Sequence, residues 1–491
     1  MAWLFHVYPS LHAFDQSLKT PYLPVAMLDQ GKKGKIMKQL GLVYAEMNDE
    51  QRYLKNDDSN VVLEDSTLNL FQRKRRVGDY LYRANIGGKY NFPSQLSLGD
   101  DVKKSIIPQL SLAISSLALY DDNFGTLVNP EGSGKEWERP ATLSIYNKGK
   151  LDEAHNVGFR LLGEKGERKS RWQRNQDDTE KLLDQSYQVY FRSKYSIDNI
   201  SGDKVFDDSN APTLSSLVVK RGDAIKQVLA YDLWRIAGIS VPFYGVAFLN
   251  VNGNDMGLRL IHEPVNRKQW LAREGKPHLD FYRNGQGPSD SGWHWNVEMN
   301  FWYKKVRGTL NMELAKTYID LDALTKSIAL RMFCGSSDWS QWAIVRDRHS
   351  LNRWRWIDWG METCFSDQWS TSEESIAEQD WLSVVMSKDI DNKKWRVTHH
   401  NLRTMMFVEL MNNDPAYQQY FLSILERMMQ EFSGVNKYRE TIHQFEIEFA
   451  GKGRRHTGDQ EYLSLKKLRE FIEKRHLFIK QQIERTFNIQ H

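Results

Sequence analysis

Short stretches of alternating apolar and polar residues recur in the first half of the chain. The three clearest are ATLSIYNKG from Ala141, NVGFRLLGE from Asn156 and SYQVYFRSKY from Ser186. A period of two residues is typical of a strand with one buried face. Residues 61–128 add shorter β-like runs broken by Gly, Asn and Asp, whereas Lys33–Tyr53 predicts a helix. This half is therefore predicted to be rich in strands.

The pattern becomes helical after residue 222. Apolar side chains follow helical spacing at Ala224, Val228, Leu229, Leu233 and Ile236. Gly238 then predicts the helix end. The next segment, VPFYGVAFLNVNGNDMGLRLIHE, predicts a hairpin that turns at Asn252-Gly253.

The second half is predicted to be mostly helical. YIDLDALTKSIALRMFCG predicts a helix that begins at an Asp cap and ends at Gly335. QWAIVRD and WRWIDW follow as two strands of a hairpin, and long helical patterns fill the remainder. The last segment, 451–491, is basic and amphipathic, and its pattern favours packing on the domain over membrane association. The fold class predicted is α+β.

Composition excludes several classes of protein. Lys plus Arg number 67 and Asp plus Glu 63, a net charge of +4 with both signs interspersed, which argues against nucleic-acid binding. Cys334 and Cys364 are too few for a disulfide framework or a zinc site. No run approaches the roughly 18 apolar residues of a membrane span, and the first residues lack the features of a signal peptide. We expect no membrane span and, as the sequence stands, a cytoplasmic protein.

Of the 16 tryptophans, 11 lie between Trp293 and Trp395. A packed aromatic core is the favoured interpretation. The alternative is an exposed Trp-rich face that binds polysaccharide.

The strongest candidate chemistry lies in two acidic segments. Asp338 follows a predicted helix end, Gln341 comes three residues later, and Asp358 and Glu362 end the next hairpin. Phosphoryl transfer needs one carboxylate to orient the acceptor hydroxyl, and an amide with a further carboxylate to hold Mg²⁺ against the phosphates. The alternative is that Asp338 caps a turn and the other two acids pair with nearby arginines.

Seven portions of the chain, in this order, carry a family resemblance: IPQLSLAISSLALYDDNFGTLV, KEWERPATLSIYNKGK, VGFRLLGEKGERKSR with QSYQVYFRSKYS, LVVKRGD with LAYDLWRIAGISVP, VAFLNVNGNDMGLRLIHE, SSDWSQWAIVRD with WRWIDWGMETCF, and FVELMNNDPAYQQYFLSILERMMQEF. Together they resemble the spore coat protein H (CotH) family of atypical, kinase-like proteins. WRWIDWGMETCF is similar to the family's W-D-x-D/E-x-x-F motif.

The resemblance implies an atypical protein-kinase-like, two-lobed fold within the α+β class. It implies ATP-dependent phosphorylation of protein Ser or Thr with Mg²⁺ or Mn²⁺, so the expected partners are a nucleotide and a protein acceptor. The domains implied are a mixed, strand-rich N-terminal extension over 1–104, a CotH kinase-like domain over 105–450 and a C-terminal helix over 451–491. Relatives are often exported, which leaves the compartment open.

The resemblance also assigns roles to individual residues. Asp338 occupies the position of the catalytic-loop acid, as base or orienter. The metal ligands implied are Gln341, Asp358 and Glu362. The nucleotide-binding residues implied are Arg160, Ser170, Arg171, Arg221 and Glu263.

Two departures from the family pattern put activity in question. Gln185 stands where the family has Lys, so the nucleotide-binding cation is missing or comes from Lys181 or Lys194. Gly360 stands where the family has a metal-binding Asp. Asp358 lies two residues earlier, roughly 6–7 Å back along the strand, and could substitute only if a bulge or turn at Gly360 re-aims it.

Three functions therefore stay open at this point. The first is an active atypical kinase with an altered metal site. The second is a catalytically impaired relative that binds nucleotide or a partner protein. The third is a polysaccharide-binding surface protein.

Overall fold

A computed structural model provides the structure of the chain. The residues it describes are 23–24, 43–48, 51–55, 107–114, 118–119, 125–148, 150–163, 168–169, Gln173, 185–206, 208–251, 254–276, 278–283, 297–336, 338–339, 341–347, His349, 353–365, 376–386, 402–433 and 458–487. Two compact units divide the chain. The first comprises Met1–Gly222 and Val246–Ile261, and the second comprises Asp223–Gly245 and His262–His491.

Three short strands near the N-terminus form a small sheet in the order β1-β3-β2. They are β1 (Leu23–Pro24), β2 (Val43–Asn48) and β3 (Gln51–Lys55). The helix predicted for Lys33–Tyr53 is wrong in its described part, because β2 and β3 pair as antiparallel strands there. Val43 and Tyr44 in β2 and Tyr53 in β3 are residue types that favour an extended backbone.

Seven strands of the first unit close into a barrel in the order β10-β8-β7-β6-β5-β4-β9. They are β4 (Gln109–Ile114), β5 (Arg139–Asn147), β6 (Lys150–Leu162), β7 (Ser186–Tyr190), β8 (Ser216–Lys220), β9 (Tyr244–Val251) and β10 (Asn254–His262). A 3-10 turn at Lys135–Trp137 and helix α1 (Asp203–Phe206) lie between them. The three strands predicted from alternation are confirmed as β5, β6 and β7.

Most of the barrel is antiparallel from β4 to β8, and β4 pairs in parallel with β9 to close it. Alternate side chains of these strands point inwards and form one buried apolar cluster. Leu143, Val157, Tyr187 and Leu217 are examples from four successive strands. Their alternation with polar residues is the pattern visible in the sequence.

Helices form most of the second unit. They are α2 (Ala224–Ile236), α3 (Arg267–Glu274), α4 (Val297–Val306), α5 (Met312–Tyr318), α6 (Leu321–Phe333), a 3-10 turn (Ile376–Glu378), α7 (Trp381–Met386), α8 (Leu402–Asn413), α9 (Pro415–Ser433) and α10 (Gly458–Phe487). The helix predicted after residue 222 is confirmed as α2. Asp223 caps its start by accepting hydrogen bonds from the N–H groups of Ile225 and Lys226, and Gly238 follows its end with φ of 79°.

A three-stranded antiparallel sheet completes the second unit. It comprises β11 (Leu279–Arg283), β12 (Trp342–Asp347) and β13 (Arg355–Asp358). The predicted hairpin is confirmed, because β12 and β13 pair with Trp342 opposite Asp358. Asp320 caps α6, as predicted for its start, and Gly335 follows its end with φ of 61°.

The mixed helix and sheet composition predicted from the sequence is confirmed. The kinase-like two-lobed arrangement stays a prediction. The closed barrel was not predicted from the sequence. Among the described helices, none combines the length and apolar character that a bilayer span requires.

Most of the described tryptophans of the Trp-rich region are buried. Between residues 293 and 395 these are Trp339, Trp342, Trp354, Trp356, Trp359 and Trp381. Trp302 is half-buried and stacks on Tyr318 with 4.4 Å between ring centroids. In the described part of the chain this region is therefore a packed aromatic core.

Candidate functional site

The two acidic segments meet in the second unit. The first is the loop after α6 and the second is the turn after β13. The Asp338 backbone N–H donates to the Thr363 hydroxyl at 3.1 Å, and the Ser336 hydroxyl lies 3.2 Å from the same oxygen. Phe365 N–H donates to the carbonyl of Cys334 at 2.8 Å. One backbone hydrogen bond and two contacts of the Thr363 hydroxyl thus join the loop to the turn.

Asp338 and Gln341 contact each other directly. The Gln341 side-chain amide donates to Asp338 Oδ2 at 2.6 Å, and Asp338 is only half-buried. This places a partly accessible carboxylate beside an amide on one loop. Both residues were predicted from the sequence, and the structure brings them together.

Asp358 lies in a different environment because it is fully buried between two arginines. Its Oδ1 accepts from Arg331 at 2.9 Å and from Arg403 at 2.6 Å. Its Oδ2 accepts from the Trp234 indole N–H at 3.0 Å and from the Ser327 hydroxyl. Both oxygens therefore accept hydrogen bonds from protein donors, which leaves Asp358 unsuited to bind a metal.

These arginines explain the ionisation of Asp358. Burial alone would raise the pKa of this carboxyl, but the charges of Arg403 and Arg331 outweigh burial and hold its pKa well below the ordinary value. Burial also lowers the pKa of Arg403 to about 10, although Asp358 opposes that shift. All three groups stay charged at neutral pH, so two cations and one anion are buried together.

Gly360 has a conformation and a neighbour that together require glycine. Its φ is 74°, in the left-handed region that side chains disfavour. A Cβ built on it would lie only 2.8 Å from Gln341 Cβ and closer still to the Gln341 amide. The Gln341 side chain therefore fills the space beside this position, and no bulge turns Asp358 towards the loop.

Glu362 is half-buried on the turn, near the phenol of Tyr231. Tyr231 is fully buried, and burial, with a further contribution from the charge of Glu362, raises its pKa well above the ordinary value. The phenol therefore stays protonated beside this carboxylate. Glu362 adds a second acidic group to the loop and turn.

The donors of the loop and turn suit an open divalent-metal site better than a closed one. In the described ranges no three His, Cys, Asp or Glu side chains cluster as a metal-binding group. Mg²⁺ usually takes one or two carboxylates and completes its shell with water and substrate phosphates. Asp338, Gln341 and Glu362 supply oxygen donors of that kind, so they fit a metal that arrives with a nucleotide rather than a closed protein cage.

Glu263 is held by its own neighbours in the second unit. Its carboxylate accepts from Arg273 at 2.5 Å, from the Phe243 N–H at 2.8 Å and from Gln269 at 3.2 Å. Burial raises the pKa of this fully buried carboxyl, and Arg273 opposes the shift. Arg273 is thus the ion-pair partner of Glu263.

The other predicted nucleotide-binding residues belong to the first unit. Arg160 donates to the Tyr190 hydroxyl and lies 4.8 Å from the centre of its ring. The Arg221 backbone N–H donates to Ser186 at 3.0 Å. Ser170 and Arg171 lie outside the described residues.

The position of the missing lysine is closed to solvent. Gln185 is buried, and its amide donates to the Arg168 carbonyl at 3.4 Å. Of the two cations considered as substitutes, Lys194 lies 3.7 Å from the carboxylate of Glu138, and Lys181 is outside the described residues.

The two cysteines are expected to resist alkylation in the folded protein. Both are fully buried where the loop and turn meet. Burial, with contact to Cys364, raises the pKa of Cys334, so little of the reactive thiolate forms. Intact mass after iodoacetamide treatment of the reduced protein at pH 8 measures this, with a urea-unfolded sample as control. Rapid labelling of the folded protein would show that this junction opens in solution.

Residues 180–479, more than half of the 491, match the family model described as CotH kinase protein. The match begins after Arg160, Ser170 and Arg171, so it includes the acidic segments but not these three. A search of curated proteins finds no match. The chain belongs to the CotH kinase protein family.

Proposed function

We propose that the protein transfers the γ-phosphoryl group of ATP to a Ser or Thr hydroxyl of a protein acceptor. The observation that supports this most directly is the half-buried Asp338 carboxylate, fixed 2.6 Å from the Gln341 amide on a loop of a CotH kinase family member. A carboxylate at such a junction orients the acceptor hydroxyl and accepts its proton. A bound Mg²⁺ or Mn²⁺ supplies charge stabilisation at the phosphates.

Three residues of the loop and turn have roles in this proposal. Asp338 holds the acceptor hydroxyl, and Gln341 fixes the carboxylate through its amide N–H while offering its oxygen to the metal. Glu362 is the further metal ligand. The nucleotide-binding roles of Arg160, Ser170, Arg171 and Arg221 stay predictions from the family resemblance.

Substitution of the proposed catalytic acid tests the proposal. Asp338→Asn keeps the shape of the side chain and its bond to Gln341 but removes the basic carboxylate, so we expect phosphate transfer from radiolabelled ATP to be lost while the melting temperature stays close to that of the wild type. Transfer to the protein itself or to a generic acceptor, with Mg²⁺ and Mn²⁺ in parallel, is the measurement. Undiminished label in the folded Asp338→Asn protein would remove Asp338 from the mechanism.

A nucleotide-binding or partner-binding protein without transfer is the second candidate. Gly360, where the family pattern has an acid, and the buried Gln185 favour it. Stabilisation by Mg²⁺-ATP without transfer would support this candidate.

A further inference from the structure

Three backbone carbonyls of the Asp338 loop accept hydrogen bonds from buried arginines. Arg331, on α6, donates to the carbonyl of Asp338 and to that of Gln341 at 3.2 Å. Arg403, on α8, donates to the carbonyl of Trp339 at 3.0 Å. The same two guanidinium groups bind Asp358 at the end of β13. The two arginines therefore connect α6 and α8 to both the loop and the strand end.

The charge of this cluster gives a reason for the carbonyl contacts. The two guanidinium groups share one fully buried carboxylate, Asp358, and Asp338, the further negative charge that acts on both, is only half-buried. A buried charge must be met by hydrogen-bond acceptors, and backbone carbonyl dipoles serve that purpose. Arg331 also donates to the Trp359 carbonyl at 3.3 Å, so the acceptors come from both acidic segments.

The loop residues held this way include those whose side chains form the proposed site. A displacement of the Asp338 or Gln341 backbone moves the carboxylate and the amide that contact each other at 2.6 Å. Groups that act on a reacting atom need placement to about 0.5 Å, so the support of their backbone matters for rate.

We infer that Arg331 and Arg403 are positioning residues that fix the Asp338–Gln341 loop through its carbonyls, and that Asp358 anchors both arginines rather than binding metal. The expected effect on the rate of transfer rests on the proposed function. The contacts between the arginines and the loop carbonyls are independent of it.

Arg475 offers a matched control. It is also fully buried, burial lowers its pKa to about 9, and it donates to the carbonyls of Met332, Ala377 and Gln379. These acceptors lie outside the Asp338–Gln341 loop. Loss of Arg475 removes a buried guanidinium with carbonyl bonds without touching that loop.

The test compares Arg403→Met, Arg403→Lys and Arg475→Met in the full chain. Hydrogen exchange of peptides covering 335–341 reports the loop, and kcat and KM for ATP report its effect on transfer. We expect Arg403→Met to speed exchange in this segment and lower kcat about tenfold or more, with KM for ATP within about twofold of the wild type. Arg403→Lys keeps the charge beside Asp358 but not the forked donors, so we expect an intermediate effect.

The outcomes separate the inference from the proposed function. Arg475→Met is expected to lower the melting temperature but leave loop exchange and kcat per folded molecule unchanged. Wild-type loop exchange in both Arg403 variants would overturn the inference, as would an equal loop effect in Arg475→Met. If the wild type transfers no phosphate, the proposed function fails and hydrogen exchange alone still decides the positioning role. If Arg403→Met does not fold, Arg403→Lys decides it.

Discussion

Asp358→Ala is expected to lower the free energy of unfolding by at least about 3–5 kcal/mol, because it leaves two buried guanidinium groups without their carboxylate. A typical domain is stable by about 5–15 kcal/mol, so this variant should be partly unfolded at modest urea concentrations. Urea unfolding followed by tryptophan fluorescence is the measurement, since eight tryptophans are buried in the described part of this unit.

A control is available in the neighbouring sheet. Asp280 pairs with Arg346 at 3.0 Å, and both side chains are largely buried, so Asp280→Ala also removes a carboxylate from an arginine. We expect Asp358→Ala to lower the free energy of unfolding more, because it removes the buried ion-pair partner of two arginines rather than of one. Equal losses in the two variants would contradict the charge count of the cluster.

Arg403→Met is expected to change the free energy of unfolding in opposite directions in two backgrounds. In the wild type, Arg403→Met removes bonds to Asp358, Ser327 and the Trp339 carbonyl and should destabilise by about 1–3 kcal/mol. In the Asp358→Ala background the same change removes one of the two arginines that have lost their buried carboxylate. There it should raise the free energy of unfolding. A destabilising effect in both backgrounds would show that the cluster does not carry an excess positive charge.

The pH dependence follows from the direction of the pKa shift. The folded-state pKa of Asp358 lies below its unfolded value, because the two arginines outweigh burial. Such a group contributes stability that is present above its unfolded pKa, about 3.9, and is lost as the pH falls through the folded pKa. The stability gap between wild type and Asp358→Asn should therefore be constant from about pH 5 to 8 and shrink below about pH 4.

Local patterns predicted the elements of the fold better than their arrangement. The alternation in β5 to β7 and the Asp and Gly residues that flank α2 depend only on neighbours in sequence. These elements could therefore be predicted from the sequence. Closure of the barrel depends on the parallel pairing of β4 with β9, where Gln109 meets Phe248. Alternation shows which face of a strand is buried but not which strand lies beside it.

In the candidate site, contacts within one loop could be predicted from the sequence, whereas contacts between distant segments could not. Asp338 and Gln341 share one loop, and their contact follows from their spacing. The partners of Asp358 lie 27 and 45 residues away on two helices, so the sequence could offer pairing with arginines only as a general alternative. The one local signal is Arg331 within the apolar run IALRMF, because a buried arginine needs an acceptor.

Gly360→Ala is expected to destabilise the protein by about 2–5 kcal/mol, from about 1–2 for a left-handed conformation and about 1–3 for crowding. The crowding arises from the Gln341 side chain, and relief of the contact breaks its bond to Asp338. Gly238→Ala is the matched control, since Gly238 has φ of 79° and a Cβ there would meet nothing within 4 Å. The difference between the two variants isolates the Gln341 contact.

Gly360→Asp decides whether the glycine is a lost metal ligand or a structural requirement. If the position were only a lost ligand, the new carboxylate should raise the affinity for Mg²⁺-ATP, because added ligand charge strengthens binding of hard cations. The geometry predicts the opposite. The new side chain meets Gln341, so Gly360→Asp should lose stability at least as much as Gly360→Ala and gain no affinity in a Mg²⁺-ATP titration. A stable variant with tighter binding would show that Gln341 moves aside and that the acid was lost without a structural cause.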